Sequence, residues 1–303
     1  MLPPQQYGKN LLLAKKIIIR QEYGQLGNIL FRLANALGFA IEYGYRVEDY
    51  TLAFCNYHDG SSNIRFFEDY HPFHFFEFPR PKFRLSNRIK WKLKDRLNKR
   101  IECIENFDPT FDLQKLDTNK SCELKGFHFS SGELAFKHRS QICDILRFKE
   151  SEILPIENLI NEVKKRYDLL LGVHIRQNDY KSFYDGKFYV TPEQYLQTVD
   201  HFKSLHLPSQ RIGVVVCSDD RQALQEIQDK HPDNFYPKGT IAQDMYALSK
   251  CDYIIGPKAT TMSNWAAFIG ESMLLQIDKS IDPFELTDFQ SVQRLEPFYP
   301  FLN

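Results

Sequence analysis

The sequence predicts an α/β protein of two domains, and three observations carry that expectation. The second half alternates short apolar runs with amphipathic runs, the pattern of a parallel sheet covered by helices on both faces. Near the N-terminus, Lys16 to Arg20, a glycine-containing turn and the amphipathic run Ile29 to Tyr43 repeat the same strand–turn–helix order. The 303 residues exceed the usual single core and suit two domains of about 150 residues each, which places 1–150 in one and 151–303 in the other.

The N-terminal apolar groups Leu11 to Ala14 and Ile17 to Ile19 are split by Lys15 and Lys16, well short of the roughly 20 residues that a membrane span needs. They read as an opening strand without a signal peptide, and a cytoplasmic location is expected. Gly24 and Gly27 permit a tight turn and close approach of backbone to a ligand, and Asn28 stands where a helix would begin and could cap it. From Tyr50 to about Arg147 periodicity fades, leaving the aromatic clusters Phe66-Phe67 and Phe73 to Phe78, a basic helix-like run Arg88 to Arg100, and a strand from Leu124 to Phe129. The basic run reads as a solvated helix face. It also offers a face to an anionic acceptor or to the inner surface of a membrane, so a peripheral membrane association is carried forward as an expectation.

Beyond the helical connector Ser151 to Lys165 the pattern is regular. Strands are expected at Leu169 to Ile175, Ile212 to Cys217, Tyr253 to Gly256 and Met273 to Ile277. Helices are expected at Pro192 to Ser204, Arg221 to Lys230, Ala242 to Lys250 and Met262 to Phe268. Lysine plus arginine equal aspartate plus glutamate at 39 each, so no global field steers the chain onto nucleic acid. The six cysteines form no CxxC pair or metal-ligand spacing; they read as reduced thiols, with no zinc site.

Polar groups collect where three of these strands end. Leu169 to Ile175 runs into His174, Arg176, Asn178 and Asp179; the next strand ends in Ser218, Asp219 and Asp220; the third leads to Thr260, Thr261 and Ser263 at a helix start. Parallel strands end on one edge, and ligands of open α/β sheets bind there. Arg176 suits a phosphate through its planar pair of donors. Thr260, Thr261 and Ser263 with helix N–H groups suit the same anion, and a carboxylate such as Asp244 suits the adjacent donors of a guanine edge. Each feature also has an ordinary structural reading. Arg176 and Asp179 can be a loop-closing ion pair, and Asp220 a helix cap, with Asp219 open between cap and site.

Taken together, GQLGN near the N-terminus, HIRQNDY at 174–180, CSDD at 217–220 and QDMYALSKCDYIIGPKATTMSNWAAFIG at 243–270 resemble the motif series of the α-1,2-fucosyltransferases, glycosyltransferase family eleven. The resemblance spans Tyr23 to Gly270. It implies a GT-B architecture of two Rossmann-like domains facing a cleft, a GDP-fucose donor held mainly by the C-terminal domain, a glycan acceptor, inversion at the anomeric carbon, and no metal or other cofactor. It places Arg176 on the donor diphosphate, His174 near the guanine, Asp244 on the base, and Thr260, Thr261 and Ser263 on phosphate. Gly27 and Asn28 fall near the donor sugar and acceptor, Ser218 and Asp219 line the crevice, and Asp179 is the candidate base by proximity. The chain departs from the motifs at Asn178, Gln177, Ala259 and Met262. These departures keep two alternatives open, a non-catalytic sugar- or nucleotide-binding protein and a transferase with another nucleotide sugar.

Overall fold

A computed structural model describes residues 15–19, 25–49, 76–77, 102–106 (backbone alone), 112–117, 119–126, 129–279 and 283–296. The chain divides into two compact units, one of Met1–Arg147 with Arg294–Pro297 and one containing Phe148–Gln293. Gly24, the aromatic clusters apart from Phe76 and the basic run Arg88 to Arg100 lie outside the described residues.

Among the described residues of the first unit four parallel strands, β1 (Lys16–Ile19), β2 (Arg46–Asp49), β3 (Glu102–Asn106) and β4 (Cys122–Gly126), lie in the order β2-β1-β4-β3. The isoleucines of β1 are fully buried, as expected for a central strand read from a continuous apolar run. Helix α1 (Leu26–Tyr43) returns the chain from β1 to β2 and packs against the short helix α2 (Leu134–Lys137), which α3 (Arg139–Ile145) follows. Helix α1 begins three residues earlier than the periodicity suggests, because Leu26 and Gly27 are already buried in its first turn. Gln25 is its N-cap and no side chain caps it, so Asn28 does not have the capping role its position suggested. Asn35 is buried in α1 and ties the unit together. Its Oδ1 accepts from the Ser131 N–H and hydroxyl at 2.8 and 2.9 Å, and its Nδ2 donates to the Leu295 carbonyl at 2.8 Å.

The second unit opens with α4 (Glu150–Lys164). Its five-stranded sheet has the order β6-β5-β7-β8-β9, comprising β5 (Leu169–Ile175), β6 (Ile212–Ser218), β7 (Tyr253–Pro257), β8 (Met273–Ile277) and β9 (Gln290–Ser291). Every pair is parallel except β8 with β9. The connecting helices are α5 (Pro192–Ser204), α6 (Arg221–Lys230), α7 (Ile241–Leu248) and α8 (Thr261–Gly270). Leu171, Val173 and Ile175 join one core with Val190, Tyr195, Val199 and Phe202, while His174 faces the other way onto α8. The chain leaves β5 for β6 on one side, whereas β7 pairs on the other, so the sheet has its topological switch point between β5 and β7.

The membrane expectation is corrected here. Among the described residues no helix is long and apolar enough to cross a membrane.

Candidate active site

The switch point is closed by a side-chain bond. His174, at the end of β5, has Nδ1 2.8 Å from the Ser263 hydroxyl in the first turns of α8, and both residues are buried. Burial, with Arg176 adding to it, pushes the imidazole down to about 3, so His174 is neutral at physiological pH. The close approach depends on Gly256 in β7, where a Cβ would collide with the Ser263 side chain. Ser263 therefore supports the histidine from beneath, while Thr260 and Thr261 stand at the open end of the helix. Thr260 caps α8, its Oγ1 accepting from the Met262 N–H at 3.3 Å. Ala259, just before it, has φ 65°, a left-handed conformation that turns the chain into the helix.

Arg176 is mostly buried. Its Nε stands 2.8 Å from Asp179 Oδ1 and its Nη1 3.2 Å from Asp219 Oδ2. Burial opposes the guanidinium charge, but the two carboxylates outweigh it and strengthen the cation. Asp219 does more than pair. Its carboxylate accepts the Gln177 and Asn178 N–H groups at 2.8 and 3.3 Å, and Asn178 Nδ2 donates back to the Asp219 carbonyl at 2.9 Å. Burial raises the Asp219 carboxyl above its ordinary range, with Arg176 working against that rise. The ends of β5 and β6 are thus laced together around the arginine. Ser218 is buried and its hydroxyl accepts the Asp220 N–H at 3.1 Å. Asp220 caps α6, accepting from the Gln222 and Ala223 N–H groups at 3.0 and 3.1 Å. Tyr180 anchors the loop after β5 by donating its hydroxyl to the Lys258 carbonyl at 3.2 Å.

Asp244, in the first turn of α7, is 5% exposed, and its Oδ1 has no hydrogen-bond partner. An unmatched carboxylate oxygen in such a place costs stability, and sites built for a ligand tolerate that cost. Burial pushes the carboxyl up to about 7; Arg221 and the Gly239 amide act in the opposite direction. Strand β6 is the neighbour, since Cys217 Sγ lies 3.8 Å from the Asp244 carbonyl.

Arg176, Asp179 and Asp219 are thus in direct contact, as are His174 and Ser263, with Ser218 and Thr260 beside them in the chain. Gly27 and Asn28 sit in the first turn of α1, in the other unit, with the Asn28 N–H on the Gln25 carbonyl at 3.0 Å. Two residues gain a part in the site that the sequence did not give them. Gln177, fully buried, donates to the Val190 carbonyl and accepts from the Tyr189 hydroxyl, both at 2.9 Å. Arg221 donates to the Gly239 carbonyl beside Asp244. The signal for Arg221 was its place directly after the Asp219-Asp220 pair; Gln177 stands in the sequence only as a departure from an arginine. Among the described residues no group of three or more His, Cys, Asp or Glu is arranged to hold a metal ion.

The family model described as Glycosyl transferase family 11 matches residues 79–296, which include every strand-end group of the second sheet. The chain belongs to glycosyl transferase family 11. This family 11 chain is a glycosyltransferase of GT-B type, built from two Rossmann-like units. The crystal structure of the fucosyltransferase NodZ from Bradyrhizobium resembles it at TM-score 0.52 and 17% identity, over 88% of this chain and 96% of that one, a likeness of fold. The crystal structure of POFUT1 in complex with GDP aligns at TM-score 0.45 and 12% identity, over 87% of this chain and 99% of that one. No curated protein matches the chain.

Proposed function

We propose that this chain transfers fucose from GDP-fucose to a hydroxyl of a glycan acceptor, with inversion at the anomeric carbon and without a metal, and that the acceptor is a galactoside receiving an α-1,2 linkage. The observation that carries the reading is Arg176, held by Asp179 and Asp219 at the carboxyl edge of the second sheet. A guanidinium oriented in advance needs no rearrangement when negative charge develops on a departing diphosphate. The N–H groups at the start of α8, next to Thr260 and Thr261, add a second source of positive potential. Together they supply the countercharge that a divalent cation supplies in other transferases. Asp244 offers its unmatched oxygen to the paired donors of guanine, and neutral His174 lines the same crevice. We assign the acceptor proton to Asp179, a half-exposed carboxylate beside Arg176. The bond from the anomeric carbon to the diphosphate oxygen breaks as the acceptor oxygen attacks from the opposite face.

The test is a panel of nucleotide sugars with the purified chain. GDP-fucose and GDP should raise its melting temperature and UDP-sugars should not. Fucose should move to a galactoside acceptor with EDTA present. Stabilisation by a different nucleotide sugar alone would replace the donor, and turnover that required added magnesium or manganese would remove the metal-free account.

A further inference from the structure

The turn before α7 carries Lys238 in a left-handed conformation at φ 50°, and Gly239 follows, where a Cβ would collide with the Gln243 side chain. Gln243 is folded back there because it closes a capping box with Thr240, its Oε1 accepting the Thr240 N–H at 2.8 Å. Two contacts bind this turn to α6. Arg221 donates to the Gly239 carbonyl, and Lys238 Nζ stands 2.9 Å from Gln225 Oε1. The Arg221 guanidinium and the Gly239 amide, with the Cys217 thiol, are also the groups that favour a charged Asp244 against its burial.

We propose that Arg221 is a positioning residue for the nucleotide pocket, fixing the turn at 238–240 through the Gly239 carbonyl and supplying the countercharge to Asp244. The proposal rests on the reading of Asp244 as the carboxylate that receives the base. Other groups around Asp244 do not provide that charge. From β6, Cys217 is a thiol that burial holds neutral, so it favours the ionised carboxyl by a hydrogen bond and not by charge; on β5 and α8, which pack on α7, His174 is neutral and Ser263 has no charge. From α4, Glu152 and Glu157 are occupied with the Thr240 and Tyr246 hydroxyls. Arg221 is thus the cation acting on this carboxylate among the described residues.

The experiment is calorimetric titration of GDP into the full chain between pH 5.5 and 8.5, for wild type, Arg221→Gln, Arg221→Lys and Asp244→Asn. Wild-type affinity should rise through pH 7 as the carboxylate ionises, and Asp244→Asn should abolish that rise. Arg221→Gln should move the midpoint up by about one pH unit, weakening GDP about fivefold at neutral pH and less at pH 8.5. Arg221→Lys keeps the charge and should restore the wild-type midpoint. Arg221 is exposed, so both variants should fold, and a melting curve at each pH checks it. If the wild-type profile is flat, the reading of Asp244 falls and the proposal with it. If wild type is pH-dependent, Asp244→Asn is flat and Arg221→Gln follows wild type, the reading stands and Arg221 has no such role. A lysine variant that behaves like glutamine also overturns the assignment, because charge is then not the agent.

Discussion

Arg176 and Asp219 are joined at the carboxyl edge of the second sheet, guanidinium Nη1 to carboxylate Oδ2 at 3.2 Å. The same carboxylate accepts the N–H groups of Gln177 and Asn178, so one side chain just beyond β6 holds both the arginine and the backbone just after it. Asp179, 52% exposed, holds the same guanidinium from its own loop, with Oδ1 2.8 Å from Nε. The orientation of Arg176 is therefore set from two sides, across the sheet by Asp219 and from its own loop by Asp179.

Replacing Arg176 with lysine keeps one positive charge and loses the planar fork. Turnover with GDP-fucose should fall by about two to three orders of magnitude, with a smaller change in GDP affinity, if the arginine acts as charge develops on the leaving group. The melting temperature should change little. Near-normal turnover in the lysine variant would return Arg176 to the role of a loop-closing ion pair.

Gly256→Ala tests the switch point. The added methyl collides with Ser263, which is fully buried and engaged with His174, and so cannot move aside freely. Overpacking of this kind costs about 1 to 3 kcal/mol. Urea denaturation should show that loss, and stabilisation by GDP should shrink with it. Wild-type stability in the alanine variant would mean that α8 can shift away from β7.

His174 should set an acid limit to stability. Its folded form is neutral with a pKa of about 3, against an ordinary value of 6.5. The unfolded chain takes up the proton first as pH falls, so this stability is present above pH 6.5 and is lost between there and pH 3. The slope is about 1.4 kcal/mol per pH unit for one proton. His174→Gln should be less stable at pH 7.5 and should show a shallower loss of melting temperature from pH 6.5 to 4.5. Parallel acid limbs in the two proteins would show that His174 is not the group responsible.

Much of the second unit was legible because its strands are continuous apolar runs with punctuated ends. The bounds of β5, β8, α5 and α6 agree with the periodicity, and the α5 start carries Thr191 and Pro192, a cap and a first-turn proline. The first unit was less legible for physical reasons. Strand β2 reads Arg46-Val47-Glu48-Asp49 and β3 reads Glu102-Cys103-Ile104-Glu105-Asn106, so neither shows an apolar run. Lys16 reaches Glu48 at 2.9 Å, an ion pair that lets a charged segment form a strand beside β1. The return of Leu295 to Asn35 joins residues far apart in sequence through a backbone carbonyl, which leaves no side-chain trace. In the site, strand ends foretold where polar groups gather but not their pairing. Ser263 reads as a phosphate contact in the sequence, and the structure places its hydroxyl against His174.

Asp244 combines a stability cost with a binding gain, and the two can be measured in one pair of proteins. Its folded carboxyl has a pKa of about 7 against an ordinary 3.8, because burial penalises the charge. The unfolded chain releases the proton first as pH rises, so the associated stability is present below about pH 4 and is lost on the way up through pH 7. Asp244→Asn, neutral throughout, should match wild type near pH 4 and melt at a progressively higher temperature than wild type toward pH 7. The same substitution should weaken GDP more than UDP, since guanine presents adjacent donors to the carboxylate and uracil does not. A variant that is both more stable and a poorer guanine binder would show why an unmatched oxygen is kept in a buried place. Equal losses for the two nucleotides would remove Asp244 from the base pocket, whatever its effect on melting.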